Sequence, residues 1–228
     1  MPKDDDGITM TKDDELVLCV PRTAIEQIGM FNGYHHTTST ADGKNYLTTL
    51  LQPGVAKFVR RGDCETDANL KQIIPYIAMR HKFAGEWGSG RILRYNRSKH
   101  GGEKRLTGKA SIGIGGHVNP GDHDGDFMET FQRSWRRELS EEVRMDTKYR
   151  ARIAGLINDD STAVGSVHFG VLIVLDLELP CVYPGDLEAA YMHFVPLDHI
   201  CGGYRPRIHD EFEEWSKIVL TSGVAFTN

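Results

Sequence analysis

The 228-residue chain has four cysteines, Cys19, Cys64, Cys181 and Cys201, far apart and without a CxxC pair. That spacing excludes a zinc knuckle or a disulfide framework, and reduced thiols are expected. Long apolar runs are also missing. The most hydrophobic stretch, Val167 to Leu175, falls well short of the roughly 20 residues of a membrane helix. Met1 to Met10 is acidic rather than basic-then-apolar, so neither a membrane nor a secretory leader is expected and the cytoplasm is the default compartment. There is no internal repeat or low-complexity linker. What remains is ordinary: 39% hydrophobic and 26% charged residues with a net charge of −5, which excludes disordered, collagen-like and coiled-coil chains. A compact chain of this length buries roughly 70–75% of its unfolded surface, so its core needs no covalent staples.

Punctuation along the chain is uneven. From Ile73 onward, apolar runs at 73–79, 91–97, 110–118, 151–157, 167–177 and 191–197 read as strands. Helices are expected near 127–143 and near 209–220, the second with Ile208, Phe212, Trp215 and Val219 at helical spacing. Strands with helices between and after them predict an α/β (α+β) fold, a mixed sheet sandwiched between helices. Residues 1–67 are less legible. Glu15 to Val20 reads as a short strand, Pro21 to Ile28 as a short helix and Tyr34 to Lys44 as a polar loop. With no convincing core of its own, 1–67 is expected to be an extension packing on the 68–228 domain or across a homodimer interface.

The helix near 127–143 holds the chemistry. Asp126-Phe-Met-Glu129 is a capping-box pattern that starts a helix at Phe127. At about 100° per residue from Glu138, Phe131 projects at about 20°, Trp135 at about 60°, Leu139 at about 100° and Val143 at about 140°, one apolar stripe. Glu142 falls at about 40°, within that stripe, Glu138 on its edge and Glu141 just beyond, at about −60°. An ionised carboxylate buried without a partner costs several kcal/mol, and neighbouring carboxylates repel. Between Asp122 and Asp146 eight acids face four arginines. Hard oxygen donors clustered in this way suit Mg²⁺ or Mn²⁺ with waters and substrate phosphate. The alternative is an ion-pair network in which Arg133, Arg136 and Arg137 satisfy the glutamates.

Read as a string, Glu129, seven residues, then Arg137-Glu138-Leu139-Ser140-Glu141-Glu142 resembles the core of the Nudix box, G-x5-E-x7-R-E-U-x-E-E-x-G-U with U aliphatic. Upstream, Gly115-Gly116-His117-Val118-Asn119-Pro120-Gly121-Asp122 resembles the glycine-rich turn that opens it. Family spacing from Gly116 would put the first carboxylate at Asp122, whereas Glu129 lies seven residues later, which reads as a seven-residue loop insertion. Arg144 stands where the family has glycine, so a longer helix or a different exit is expected. The resemblance spans roughly 73–220, with its specific part at 115–145.

The resemblance implies a Nudix fold and hydrolysis of a small-molecule diphosphate by water on a divalent metal, Mg²⁺ or Mn²⁺. By matching position, Glu138, Glu141 and Glu142 would bind metal and supply the base. Arg137 would orient them, Glu129 would support Arg137 or the helix start, and a carbonyl of Gly115 or Gly116 would complete the coordination. Two other functions stay open. An isopentenyl-diphosphate-isomerase-like enzyme shares the fold, but its catalytic cysteine would align with Gly115; a noncatalytic ligand sensor could dispense with the glutamates that this chain retains.

Other candidates weigh less. Asp122-His-Asp-Gly-Asp126 looks like half a calcium loop, but Phe127 occupies the glycine position and Arg133 the twelfth. Residues 91–109 carry seven cations against Glu103, yet aromatic interleaving is sparse and the chain is acidic, which argues against nucleic acid. His35, His36 and His117 read as loop or turn residues rather than ligands, because no third imidazole lies at ligand spacing. Glu188 is a candidate late metal ligand that reads more simply as a lone exposed acid.

Overall fold

The computed structural model describes residues 11–36, 45–83, 90–97, 107–185, 189–201, 211–223 and 226. In chain order the elements are β1 (Leu16–Pro21), α1 (Arg22–Gly29), β2 (Gly33–His35), α2 (Tyr46–Leu50), β3 (Lys57–Arg60), α3 (Arg61–Cys64), β4 (Leu70–His81) and β5 (Arg91–Arg97). They continue with β6 (Ala110–Ser111), β7 (Gly113–Gly115), α4 (Phe127–Glu142), β8 (Val143–Met145), β9 (Tyr149–Asn158), β10 (His168–Leu177), β11 (Val182–Pro184), β12 (Ala189–Pro196), α5 (Leu197–Cys201) and α6 (Glu214–Thr221).

The main sheet runs β12-β5-β4-β10-β9-β2, and its centre is the parallel pair β4 and β10, in register from Gln72 with His168 to His81 with Leu177. β10 is buried along nearly its whole length, as a central strand covered on both faces should be. Its side chains alternate between two cores: Val171, Ile173 and Leu175 face one, Leu172 and Val174 the other. The first core receives Phe131, Trp135, Leu139 and Val143, the predicted stripe of α4 with its continuation. The second receives Val219 and Leu220 of α6 and Leu197 and Ile200 of α5. The α+β expectation of a mixed sheet between helices therefore holds.

Segments within 1–67 enter this sheet directly. β1 pairs antiparallel with β3 and with the start of β4, and β2 pairs with β9. Leu18, Val20, Ile25, Leu47 and Leu50 are buried in the same core as the α4 stripe. Tyr34–Lys44 is strand for its first two residues, while 37–44 lie outside the described residues.

Two boundaries differ from the sequence reading. The strand expected over 110–118 is split into β6 and β7, because side-chain hydroxyls take over backbone donors: Ser216 Oγ accepts from Ile112 N at 3.0 Å and Ser111 Oγ from Gly113 N at 3.2 Å. The last helix starts at Glu214, not near 209. Glu213 caps it by accepting from Trp215 and Ser216 N–H, while the preceding chain is held by an Ala110–Phe212 bridge. Ile208 and Glu188 lie outside the described residues. No helix among those described is long and apolar enough to cross a membrane.

Candidate active site

α4 begins at Phe127, and Asp126 caps it by accepting from Glu129 N–H at 2.8 Å. The helix ends at Glu142. Val143 is already extended (φ −139°) and the chain runs straight into β8, so Arg144 lies in a strand and needs no left-handed turn. Its guanidinium sits 5.7 Å over the Tyr183 ring on the paired strand β11. The different exit explains why arginine is tolerated where a glycine was expected.

The helix N-terminus is reached through Pro120–Asp122, a single 3₁₀ turn, which folds Asp122 back beneath the helix. Asp122 is buried and meets Arg137, with Nη2 to Oδ2 at 3.0 Å and Nε to Oδ1 at 3.1 Å. Glu129, expected to support Arg137 or the helix start, has an exposed side chain. The carboxylate that meets Arg137 is Asp122, at family spacing from Gly116, and the extra chain is taken up by a loop at His123–Asp126 and the first turn of α4. Glu129 contributes to the helix start through its backbone N–H.

Arg137 is the hub. Besides Asp122 it donates to Glu138 Oε1 at 2.9 Å, Glu141 Oε2 at 3.0 Å, Asn119 Oδ1 at 3.1 Å and the His117 carbonyl at 3.1 Å. The other two arginines of the expected network go elsewhere. Arg133 pairs with Asp124, and Arg136 lies 4.6 Å over the Trp135 ring. A single guanidinium thus serves Asp122, Glu138 and Glu141. Burial works against its charge, but Asp122 and Glu138 outweigh that and hold its pKa above the ordinary value.

The three box glutamates differ in environment. Glu138 has a side chain only 12% exposed, whereas Glu141 is 50% exposed and Glu142 is intermediate. Glu138 lies deeper than Glu141, because its carboxylate sits under the glycine turn. A β-carbon on Gly116 would collide with the Glu138 carboxyl, so a side chain there would push that carboxylate from its place beside Arg137. Burial raises the Glu138 pKa; Arg137 opposes the shift, and Glu141 and Glu142 add to it. Carboxylates gathered round one guanidinium, one of them largely desolvated, could hold a divalent cation.

Sequence reasoning passed over one more convergence. The His117 ring is largely enclosed beside the buried His168, their ring centroids 6.2 Å apart, and Glu65 approaches both. The strand alternation that buries His168 was the available signal.

No family model matches the chain. Protein YmaB of Bacillus subtilis (strain 168) is 30% identical over 223 residues, covering 92% of this chain and 98% of that protein. The crystal structure of Tm1382, assigned provisionally to the Nudix hydrolases, superposes with a TM-score of 0.69 at 27% identity over 93% of this chain and all of that one. The chain belongs to the Nudix superfamily. The alignment with Tm1382 leaves 7% of this Nudix chain uncovered, too little to hold the whole of 1–67.

Proposed function

We propose that this Nudix protein is a metal-dependent hydrolase of a diphosphate linkage in a small molecule such as a nucleoside diphosphate derivative. The observation that carries the reading is the arrangement around Arg137: one guanidinium among Asp122, Glu138 and Glu141, with Glu138 pressed beneath Gly116. A diphosphate adds negative charge to a place already rich in carboxylates, and only a cation reconciles them. Glu138, Glu141 and Glu142 would hold Mg²⁺ or Mn²⁺. When bound, such an ion would neutralise phosphoryl oxygens and lower the pKa of the attacking water.

The remaining work falls to the chain's own groups. Asp122 fixes Arg137, Arg137 fixes the Glu138 and Glu141 carboxylates, and its bond to the His117 carbonyl fixes the glycine turn above them. The base that takes the proton of water is one of the three glutamates. Glu141, the most exposed, stands nearest to solvent and so to an entering substrate.

A panel of nucleoside triphosphates, dinucleotides, nucleotide sugars and isoprenoid diphosphates, screened for phosphate and nucleotide release, tests this reading. Release from at least one class that requires Mg²⁺ or Mn²⁺ and stops with chelator is expected. Full activity in chelator would contradict the reading, as would rearrangement of isopentenyl diphosphate without any release.

A further inference from the structure

At the glycine turn, three side chains from distant parts of the chain converge. Glu65 follows α3, His117 follows β7 and His168 opens β10, and one ligand atom from each lies within 4.8 Å of the others. His168 is buried and the His117 ring is largely enclosed.

Each ring is oriented by a carbonyl oxygen. His117 Nε2–H donates to Gln72 Oε1 at 3.1 Å, and His168 Nδ1–H donates to the Val164 carbonyl at 2.6 Å. These bonds engage His117 Nε2 and His168 Nδ1, and a metal would take the other nitrogen of each ring. An imidazole that ligates a metal through one nitrogen and gives its other N–H to a carbonyl has this arrangement. Gln72 is itself fully buried, and its Nε2 has no hydrogen-bond partner among the described residues. An unsatisfied buried amide donor is costly. It is tolerated here while its oxygen holds the His117 ring.

We propose that Glu65, His117 and His168 form a second metal site, distinct from the box glutamates and selective for a borderline divalent ion such as Zn²⁺. Two imidazoles and one carboxylate with open positions are the donor set of such ions, whereas the all-oxygen box suits Mg²⁺ or Mn²⁺. Ligands of a tetrahedral ion with bonds of about 2.1 Å lie about 3.4 Å apart. Closure from 4.8 Å is supplied chiefly by Glu65, whose side chain is 21% exposed and leaves its 3.4 Å contact with Arg61. Arg61 keeps Glu15 as a counter-charge at 3.0 Å.

The site would join three segments: the N-terminal region through Glu65, the glycine turn through His117 and the central strand through His168. Because the His117 carbonyl accepts from Arg137 and from Ser134 Oγ, an ion on its ring braces the turn that also covers Glu138. The proposal does not depend on the hydrolase reading.

Co²⁺ is a direct probe, since its visible absorption reports ligand type. Full-length protein stripped with chelator and titrated with Co²⁺ should bind one ion in this cluster, with a d–d band of nitrogen-ligated, low-coordinate cobalt and a raised melting temperature. Glu65→Gln and His168→Gln should each weaken that binding at least about tenfold and alter the band. Glu141→Gln, in the box, should leave both unchanged. Should His168→Gln fail to fold, the partly exposed Glu65→Gln carries the same comparison. Absence of the band, a band unaffected by Glu65→Gln, or one lost with Glu141→Gln would overturn the proposal.

Discussion

Arg137→Ala is expected to destabilise the metal-free protein by about 3 kcal/mol or more, because it strands the Asp122 and Glu138 carboxylates in a largely buried setting. Asp122 is 8% exposed and Glu138 12%, so water cannot take over as it would on an open surface. Asp122→Asn should be destabilising in the same direction, and the double variant should cost less than the two singles together, since both remove one interaction. Glu129→Gln should change stability by no more than about 0.5 kcal/mol, as exposed substitutions do. Saturating Mn²⁺ should restore part of the stability lost in Arg137→Ala, the cation replacing the guanidinium among the carboxylates. Denaturant unfolding with and without Mn²⁺ measures all four. Equal effects of Glu129→Gln and Asp122→Asn would show the assignment of Asp122 to be wrong.

A larger effect is expected from removing the N-terminal segment 1–67: a chain starting at Ala68 should not fold to a soluble monomer. Its β4 would lose the β1 ladder from Gln72 to Leu70, and β9 would lose β2. Leu18, Val20, Ile25, Leu47 and Leu50, all essentially unexposed, would vanish from the core that seats α4. Each such side chain contributes on the order of 2 kcal/mol, so their combined loss is comparable with the whole stability of a domain. Lys71, fully buried on β4, would also feel the change. It pairs with Asp160 at 2.6 Å, and Asp160 is held in turn by Arg22 of α1 at 2.7 Å. A shortened chain that was soluble, with wild-type melting temperature and mass in solution, would contradict this account.

How far the sequence carries depends on how local the cause is. β4, β5, β9, β10 and β12 are legible because β-branched and aromatic runs bounded by polar turns report burial directly. α4 is legible from its cap and its stripe, and the Arg137–Glu142 string fixes which helix bears the chemistry. The partner of Arg137 is less legible. Asp122 and Glu129 are both acids at defensible offsets, and the choice depends on a 3₁₀ turn at Pro120–Asp122 that places one under the helix and leaves the other in solvent. Projection puts Glu138 on the edge of the stripe, while its depth is set by the glycine turn above it and not by its own helix. Near the N-terminus β1 and α1 match the segments read at Glu15–Val20 and Pro21–Ile28, whereas β2 and β3 escape a segment-by-segment reading because their pairing partners lie elsewhere in the chain. Glu65, His117 and His168 escape for a similar reason: three elements far apart in sequence bring them together.

Turnover of the folded Glu142→Gln protein tests the central claim most directly. The substitution keeps the shape of the side chain and removes one charge from the carboxylate group of Glu138, Glu141 and Glu142. With the substrate found by the panel and saturating Mg²⁺ or Mn²⁺, the account predicts a loss of at least about a hundredfold in kcat, the scale of about 3 kcal/mol of transition-state stabilisation. Melting temperature without metal should be equal or slightly higher, because a repelled carboxylate has been neutralised. Wild-type turnover in a folded Glu142→Gln protein would contradict the account and remove the assignments of Glu138 and Glu141 with it.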